Sequence, residues 1–506
     1  MRLGWKKSAP VKPAHGPSLG SAGAAAGTAA LLLAVSIAAA NAAVGPEYQR
    51  PAFDAAGQYK ATNELGAWKE AKPMDNLPKG PWWEVFNDPT LNDLQQRATT
   101  ANQQVKAAAA RVEQARATAR AARGEFLPTL DFNPGWRRER FSPNQEPSFG
   151  NITANTFRVP LDLSYEIDLW GRVRRGFEAA RADAAAGVAA FHSALLLLQA
   201  DVAQNYFSLR ALDAELASMQ ASVDLRKELV RLVRSRFEGG IGNELDTARA
   251  ETELATAQAE SAALQRRRVE LENAIAILIG ENPSVFRLPA TSATNWAAYV
   301  PLAPPGLPAD LLERRPDIGE AERQLAAANA RIGVAKGAFF PSIRLTGSAG
   351  YLSGELDNLF NWDSRVWSIG PSVSLPIFAG GRNRANLRRS RAAYEEAVAV
   401  YRQRVLVAFA EVENALSGLH FLSIQSEAQE RALSNARRAA DLARQRYSAG
   451  IVSYLEVVDA NRAALQTSRG SAQLAGQRLI ASVQLIKALG GGWNSEVLTG
   501  HQQKPL

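Results

Sequence analysis

Residues 234–241 read Arg234-Ser235-Arg236-Phe237-Glu238-Gly239-Gly240-Ile241, and residues 444–451 read Arg444-Gln445-Arg446-Tyr447-Ser448-Ala449-Gly450-Ile451. The two octapeptides stand 210 residues apart, and other landmarks keep that offset. Leu245-Asp246 returns as Leu455-Glu456. Gly171-Arg172 with Arg174 returns as Gly381-Arg382 with Arg384, and Leu278-Ile279-Gly280 as Ala488-Leu489-Gly490. Upstream, Phe126-Leu127-Pro128 matches Phe339-Phe340-Pro341 at 213, which a small loop insertion explains. Chance likeness between alanine-rich helices would not hold one register across such varied landmarks. The chain is one unit written twice.

Each copy opens on two alternating stretches. Over Thr156–Asp168 the apolar set is Phe157, Val159, Leu161, Leu163, Tyr165 and Ile167; over Val366–Phe378 it is Trp367, Ile369, Val373, Leu375 and Ile377. Their partners, Thr129–Arg137 and Ser342–Leu352, alternate too. Alternation gives each strand one apolar and one polar face. A soluble sandwich would show the same pattern, but strands of about ten residues with aromatics near their ends also fit a membrane barrel. Four strands cannot close a barrel, since the smallest membrane barrels use about eight. An open sheet in lipid would leave its edge groups unpaired. Association is then required: a trimer supplies about 12 strands and a dimer about 8, and strand counting does not choose between them.

After each strand pair the period turns helical. Stretches 171–238 and 382–448 contain no proline, and each predicts a helix on the order of 100 Å long. Second helices over about 243–280 and 453–489 are roughly half as long. Helices over 90–123 and 310–337, each leading into a strand pair, make up the difference. The expectation is a helical tube below a strand barrel. Leu195, Leu198, Val202, Tyr206 and Leu209 recur on more than one helix face, as neighbours on both sides require. The resulting division is 1–42, an export signal; 43–89, an extended equatorial segment; 90–282, the first repeat; 283–309, a proline-rich equatorial linker; 310–490, the second repeat; and 491–506, a tail.

Composition excludes much else. Length alone would allow about three domains. With no Cys, the 506-residue chain has no disulfide, thiol nucleophile or thiolate metal site, and its four His show no ligand spacing. No phosphate-binding glycine loop or metalloprotease motif occurs, so neither an enzyme nor a cofactor is expected. Of the net charge of +8, Arg2, Lys6, Lys7 and Lys12 account for four, all within the first 42 residues, which carry no acid. The remainder is spread with mixed sign along helices, which argues against a nucleic-acid partner. The basic start, the apolar run Leu31–Ile37 and Ala40-Asn41-Ala42 read as a cleavable signal, against the alternative of an inner-membrane anchor.

Several motifs then resemble a known family. Val44-Gly45-Pro46-Glu47-Tyr48-Gln49-Arg50-Pro51 is similar to its opening; so are Trp82-Trp83 with Phe86, Asp88-Pro89 and Leu91. Asp168-Leu169-Trp170-Gly171-Arg172 resembles its strand-to-helix signature. Gly306-Leu307-Pro308 with Leu311-Leu312-Glu313-Arg314-Arg315-Pro316-Asp317-Ile318 resembles the start of its second half. Over about 44–492 the chain resembles the TolC-like outer-membrane factors, in the NodT-type branch serving resistance–nodulation–division efflux systems. The resemblance implies a homotrimer with a membrane β-barrel of four strands per protomer, a long periplasmic α-helical barrel and an equatorial belt. It also implies a periplasmic adaptor (membrane fusion) protein, an inner-membrane resistance–nodulation–division pump and outer-membrane lipid as partners. Many members carry a lipid-acceptor Cys before the Val-Gly-Pro motif; Ala42 and Ala43 stand here instead, so lipidation through Cys is chemically impossible.

The expected function is passive conduction of drugs or other small molecules through the outer membrane. A type I protein-secretion duct and a soluble coiled-coil scaffold are the alternatives. A conduit needs a gate rather than a reaction centre. Gly239, Gly240 and Gly450 mark sharp helix reversals, and Glu456 and Asp459, three apart, share a helix face just beyond the second. In a trimer they would form two stacked acidic rings; the plainer alternative is that both stabilise a helix N-terminus. The family's aperture acids fall on these positions and Tyr447 matches a tyrosine of its closing network, while Val452 replaces a basic residue expected there. The first turn carries Asp246 and Arg249 instead. Turns Phe237–Asn243 and Tyr447–Tyr454, with Gly239, Gly240, Gly450, Ile451 and Ser453, are the expected adaptor-docking sites. Arg172, Arg174, Arg382 and Arg384 read as interfacial anchors.

Overall fold

A computed structural model describes residues 43–51, 81–142, 144, 152–291 and 315–491. The expected signal 1–42, residues 52–80, most of the 283–309 linker, positions 306–314 of the second-half motif and tail residues 492–506 lie outside them. The chain forms two compact units: the strands with their flanking residues, and the body of the helices.

In the first unit, β1 (Thr129–Phe132) and β2 (Gly135–Arg140) both pair antiparallel with β3 (Thr153–Ile167). Strand β3 pairs with β4 (Ser342–Ser353), and β4 with β5 (Arg365–Ser374). Phe132 stands opposite Leu161 and Gly135 opposite Arg158, so β1 and β2 are one ribbon in one register. The interruption falls at Asn133-Pro134, where proline has no N–H for the ladder. The sheet thus consists of four antiparallel ribbons from the four expected stretches, the first of them broken, with the two copies joined along β3 and β4. The last ribbon ends at Ser374, short of the expected Phe378. Pro376 explains part of that difference, because it cannot donate.

The register aligns the alternating sets across the whole sheet. Phe132, Leu161, Ala349 and Trp367 form one row, and Leu130, Leu163, Gly347 and Ile369 another. Asp131, Asp162, Ser348 and Ser368 form the row between them, on the opposite face. There the Ser348 hydroxyl donates to Asp162 at 2.6 Å, and Arg158 donates to Asp162 at 3.1 Å. The apolar face has no covering layer among the described residues. Leu130, Phe132, Trp136, Trp367, Ile369 and Val373 are each 60–79% exposed, which a sandwich core would not allow.

The second unit is helical. α1 (Pro89–Ala101) and α2 (Gln103–Gly124) precede the first strands, and α3 (Arg172–Glu238) and α4 (Glu244–Leu278) follow them. α5 (Pro316–Gly337) precedes the second strands, and α6 (Arg382–Ser448) and α7 (Tyr454–Ala488) follow. α3 and α6 are each 67 residues and α4 and α7 each 35, and every matching boundary is displaced by 210 residues. The helix expected over 90–123 is broken at Asn102. Its Oδ1 accepts from Gln104 N at 2.8 Å and Val105 N at 3.1 Å, recapping α2, while its Nδ2 donates to the Leu278 carbonyl at 2.8 Å.

The core lies where α1, α3, α4, α6 and α7 meet around Trp82, Leu91, Leu94, Tyr206, Ile275, Val412 and Leu485. Each large apolar side chain buried there contributes roughly 1.5–3 kcal/mol. Trp82 donates to Gln199 at 3.1 Å, and Tyr206 donates to Asp88 at 2.5 Å; Asp88 in turn caps α1. Buried Arg315 joins Asp317 (2.7 Å), Glu411 (2.6 Å) and the Ala488 carbonyl (3.0 Å), anchoring the start of α5. α3 and α6 are long and apolar enough to cross a membrane by length and composition, yet the buried polar bonds of Gln199 and Tyr206 place α3 in a protein core. Only a third of each apolar window is buried within the chain, so both long helices keep apolar faces for further neighbours.

Candidate functional site at the hairpin tips

The two helix reversals are built alike. In each, the chain leaves a long helix through a glycine in the left-handed region, Gly240 at φ +76° and Gly450 at +74°. Ile241 N–H donates to the Arg236 carbonyl at 2.9 Å, and Ile451 N–H to the Arg446 carbonyl at 2.9 Å. Gly240 N–H donates to Phe237 at 2.9 Å, and Gly450 N–H to Tyr447 at 3.0 Å. This paired pattern satisfies the last helix carbonyls and needs a residue without Cβ at the left-handed position. Gly239 is not left-handed, and its counterpart in the second reversal is Ala449; a Cβ at Gly239 would meet the Ser235 carbonyl at 3.3 Å.

The helices after the turns start differently. Asn243 caps α4 by accepting from Asp246 N–H at 2.8 Å, whereas Ser453 makes no side-chain cap bond to α7. On α4, Arg249 faces Asp246 at 3.8 Å, one turn apart, so that pair neutralises itself. The corresponding residues on α7 are Glu456 and Asp459. Both are exposed, and neither forms a hydrogen bond or ion pair among the described residues. Two acids therefore share one exposed face of the second hairpin only, Asp459 feeling the charge of Arg462 and Glu456 having no hydrogen bond or ion pair among the described residues.

Between the hairpins, Leu229, Val233, Ala250, Tyr447, Tyr454, Val457 and Val458 make a buried apolar seam. The Tyr447 and Tyr454 rings lie 5.7 Å apart. Burial, reinforced by Glu253 and Tyr447, pushes the Tyr454 phenol up to about 12, with Arg226 opposing. Arg236 crosses from α3 onto α6. Its guanidinium sits 4.5 Å from the centre of the Tyr447 ring and donates to the Tyr447 carbonyl at 3.4 Å and the Ser448 carbonyl at 3.2 Å. Glu253 pairs with Arg226 within the first hairpin (3.3 Å) and with Arg462 of the second, joining the two. Arg469 does the same higher up through Glu215, at 2.7 Å.

The structure thus brings Tyr447 into the seam, leaves Glu456, Asp459 and Arg249 exposed on α7 and α4, and leaves Asp246 half-buried on α4. Arg236, Arg226, Glu253 and Arg462 were missed from the sequence. Arg236 carries a signal, since it recurs as Arg446 in the repeat; the other three do not recur. Above the seam a groove of about 490 Å³ opens, lined by small side chains including Ala217, Ser218, Ala221 and Ala464. The Asn461 amide on its wall is buried, and its Nδ2 has no hydrogen-bond partner. At the strand-to-helix junctions, Arg172 pairs bidentately with Glu166 (3.0 and 2.8 Å) and Arg174 with Asp168 (3.4 Å). Arg382 and Arg384 have no such acid among the described residues.

An exposed apolar sheet face, a 67-residue helix present twice and paired glycine-capped hairpins define a class of channel protein. The chain belongs to the family of outer membrane efflux proteins, whose model matches residues 94–281 and 307–491, one stretch in each copy. It is 37% identical over 450 residues to the solvent efflux pump outer membrane protein SrpC of Pseudomonas putida, covering 89% of this chain and 95% of that protein. It is 34% identical over 469 residues to the outer membrane protein OprJ of Pseudomonas aeruginosa, covering 92% and 96%. The crystal structure of the Campylobacter jejuni CmeC outer membrane channel superposes with a TM-score of 0.83 at 26% identity, covering 91% of this chain and 97% of that one. The fold is TolC-like, and the protein is an outer-membrane component of an efflux system.

Proposed function

We propose that three copies form one duct, which passively conducts small molecules out of a tripartite efflux pump. The observation that carries this reading is the open antiparallel sheet with its exposed apolar face. In lipid its two edges, β1/β2 and β5, have unpaired amides that only other copies can satisfy. Four ribbons from each of three chains give a closed barrel of about 12 strands, within the range membrane barrels use. The sheet then anchors the mature protein, since a chain without Cys cannot carry a thioether-linked lipid. Energy comes from an inner-membrane resistance–nodulation–division pump, reached through a periplasmic adaptor. The turns and the small-residue groove above them fit an adaptor's helical hairpin, because small side chains let helices approach closely.

Glu456 and Asp459 would stand as two stacked acidic rings around the closed tip, concentrating cations at the constriction. Detergent extraction of membranes followed by native mass measurement tests the assembly. The expected particle is three times the chain mass and resists mild denaturant; a water-soluble monomer would overturn the reading.

A further inference from the structure

The contact between Arg236 and Tyr447 has a second half that one chain cannot make. By the 210-residue repeat, Arg446 corresponds to Arg236 and Phe237 to Tyr447. Within the chain only the first arginine finds its ring. Arg446 is exposed and has no side-chain hydrogen bond or ion pair among the described residues, and Phe237 is 43% exposed. Both stand on helix ends whose reversals share three backbone hydrogen bonds, so each presents its side chain from a similar local frame to its counterpart.

We propose that Arg446 of one copy stacks on Phe237 of a second copy and donates to the last helix carbonyls beside it, closing the tip between chains. This rests on the trimer reading. There, six hairpins alternate around one axis, and each arginine reaches the aromatic ring of the next hairpin. A cation over an aromatic face is attractive for Phe as for Tyr, and the carbonyls at a helix C-terminus add acceptors.

The repeat also ranks the two kinds of seam. Within a chain the seam holds Leu229, Val233, Tyr454, Val457 and Val458. By the repeat their counterparts are Ala439, Ala443, Glu244, Thr247 and Ala248, smaller or polar at every position, and Ala443 already packs against the intrachain seam. Apolar burial is therefore concentrated inside the protomer, and the ion pairs Arg462–Glu253 and Arg469–Glu215 add to it. Their counterparts would be Thr252 with Ala463 and Ala259 with Gln425, which cannot pair. The arginine–aromatic contact is the one feature common to both seams. It makes Arg446 the main link at the weaker, inter-chain seam, which parts first when the aperture opens.

The chain has no Cys, so paired substitutions can be crosslinked without background. Phe237→Cys with Arg446→Cys, treated with a short bismaleimide in detergent, is expected to give covalent dimers and trimers on a denaturing gel. Arg236→Cys with Tyr447→Cys is expected to give an intrachain link at monomer mass, read by peptide mass spectrometry. A second pair, Glu238→Cys with Gln445→Cys, leaves Arg446 and Phe237 in place and should give the same ladder. Ser235→Cys with Ser448→Cys is its intrachain counterpart. Native mass is measured first. A trimer whose intrachain pairs link while both inter-chain pairs stay at monomer mass would overturn this contact and leave the trimer standing. A monomeric particle would overturn both.

Discussion

At the residue scale, the proposed gate rests on a few charges at the hairpin tips. Glu456 and Asp459 are exposed and form no ion pair among the described residues, Asp459 being only partly offset by Arg462, whereas Asp246 in the first copy is answered by Arg249 at 3.8 Å. Like charges at close spacing repel unless counterions are held between them. Glu456→Ala with Asp459→Ala is therefore expected to raise single-channel conductance in planar bilayers and weaken its block by divalent cations. Unchanged conductance would reject the acidic rings. Tyr454 offers a separate readout. Its phenol is pushed up to about 12 from an ordinary value near 10 by burial first and Glu253 second. A raised value means the folded state favours the neutral form, so the contribution is intact below pH ~10 and is lost as pH rises towards ~12. The tip should then loosen over that window in the wild type. The difference in absorbance titration against Tyr454→Phe should show one tyrosine ionising with the transition.

At the scale of elements, caps and breaks decide where helices stop. Asp88 accepts from Thr90 N–H at 2.9 Å and Leu91 N–H at 3.1 Å, and also holds the Tyr206 hydroxyl. Asp88→Ala removes the cap, worth about 0.5–2 kcal/mol, and strands a buried hydroxyl, worth about 1–3 kcal/mol more. The thermal midpoint should fall in the same detergent, and more than for Asp88→Asn, which can still cap. The long helices were legible because proline-free stretches of matching length recur at one offset. The observed spans, Arg172–Glu238 and Arg382–Ser448, begin and end within a residue of those expected. The break at Asn102 was not legible. Asparagine is common inside helices on the surface, and only its tertiary bond to the Leu278 carbonyl turns it into a stop. The tip was legible in part. Its glycines and acids could be read from spacing, but the stacking of Arg236 on Tyr447 depends on how two hairpins 210 residues apart come together.

At the scale of the whole molecule, the proposed assembly rests on the sheet. Alternation in four short stretches was visible in the sequence, and the register gives it meaning by lining up Phe132, Leu161, Ala349 and Trp367 on one face. A charge on that face is then costly in lipid. Ile369→Arg is expected to cost about 2–4 kcal/mol near mid-membrane, reducing assembled trimer in the outer membrane, whereas Ser368→Arg on the polar face should leave assembly intact. The central claim is that this sheet closes with other copies. Amide hydrogen exchange of the detergent-extracted particle tests it most directly, by comparing the outer edges of β1/β2 and β5 with the interior pairing of β3 and β4. The expected result is slow exchange at both edges, matching the interior. Rapid exchange at the edges beside a protected interior would show an open sheet and contradict a closed barrel.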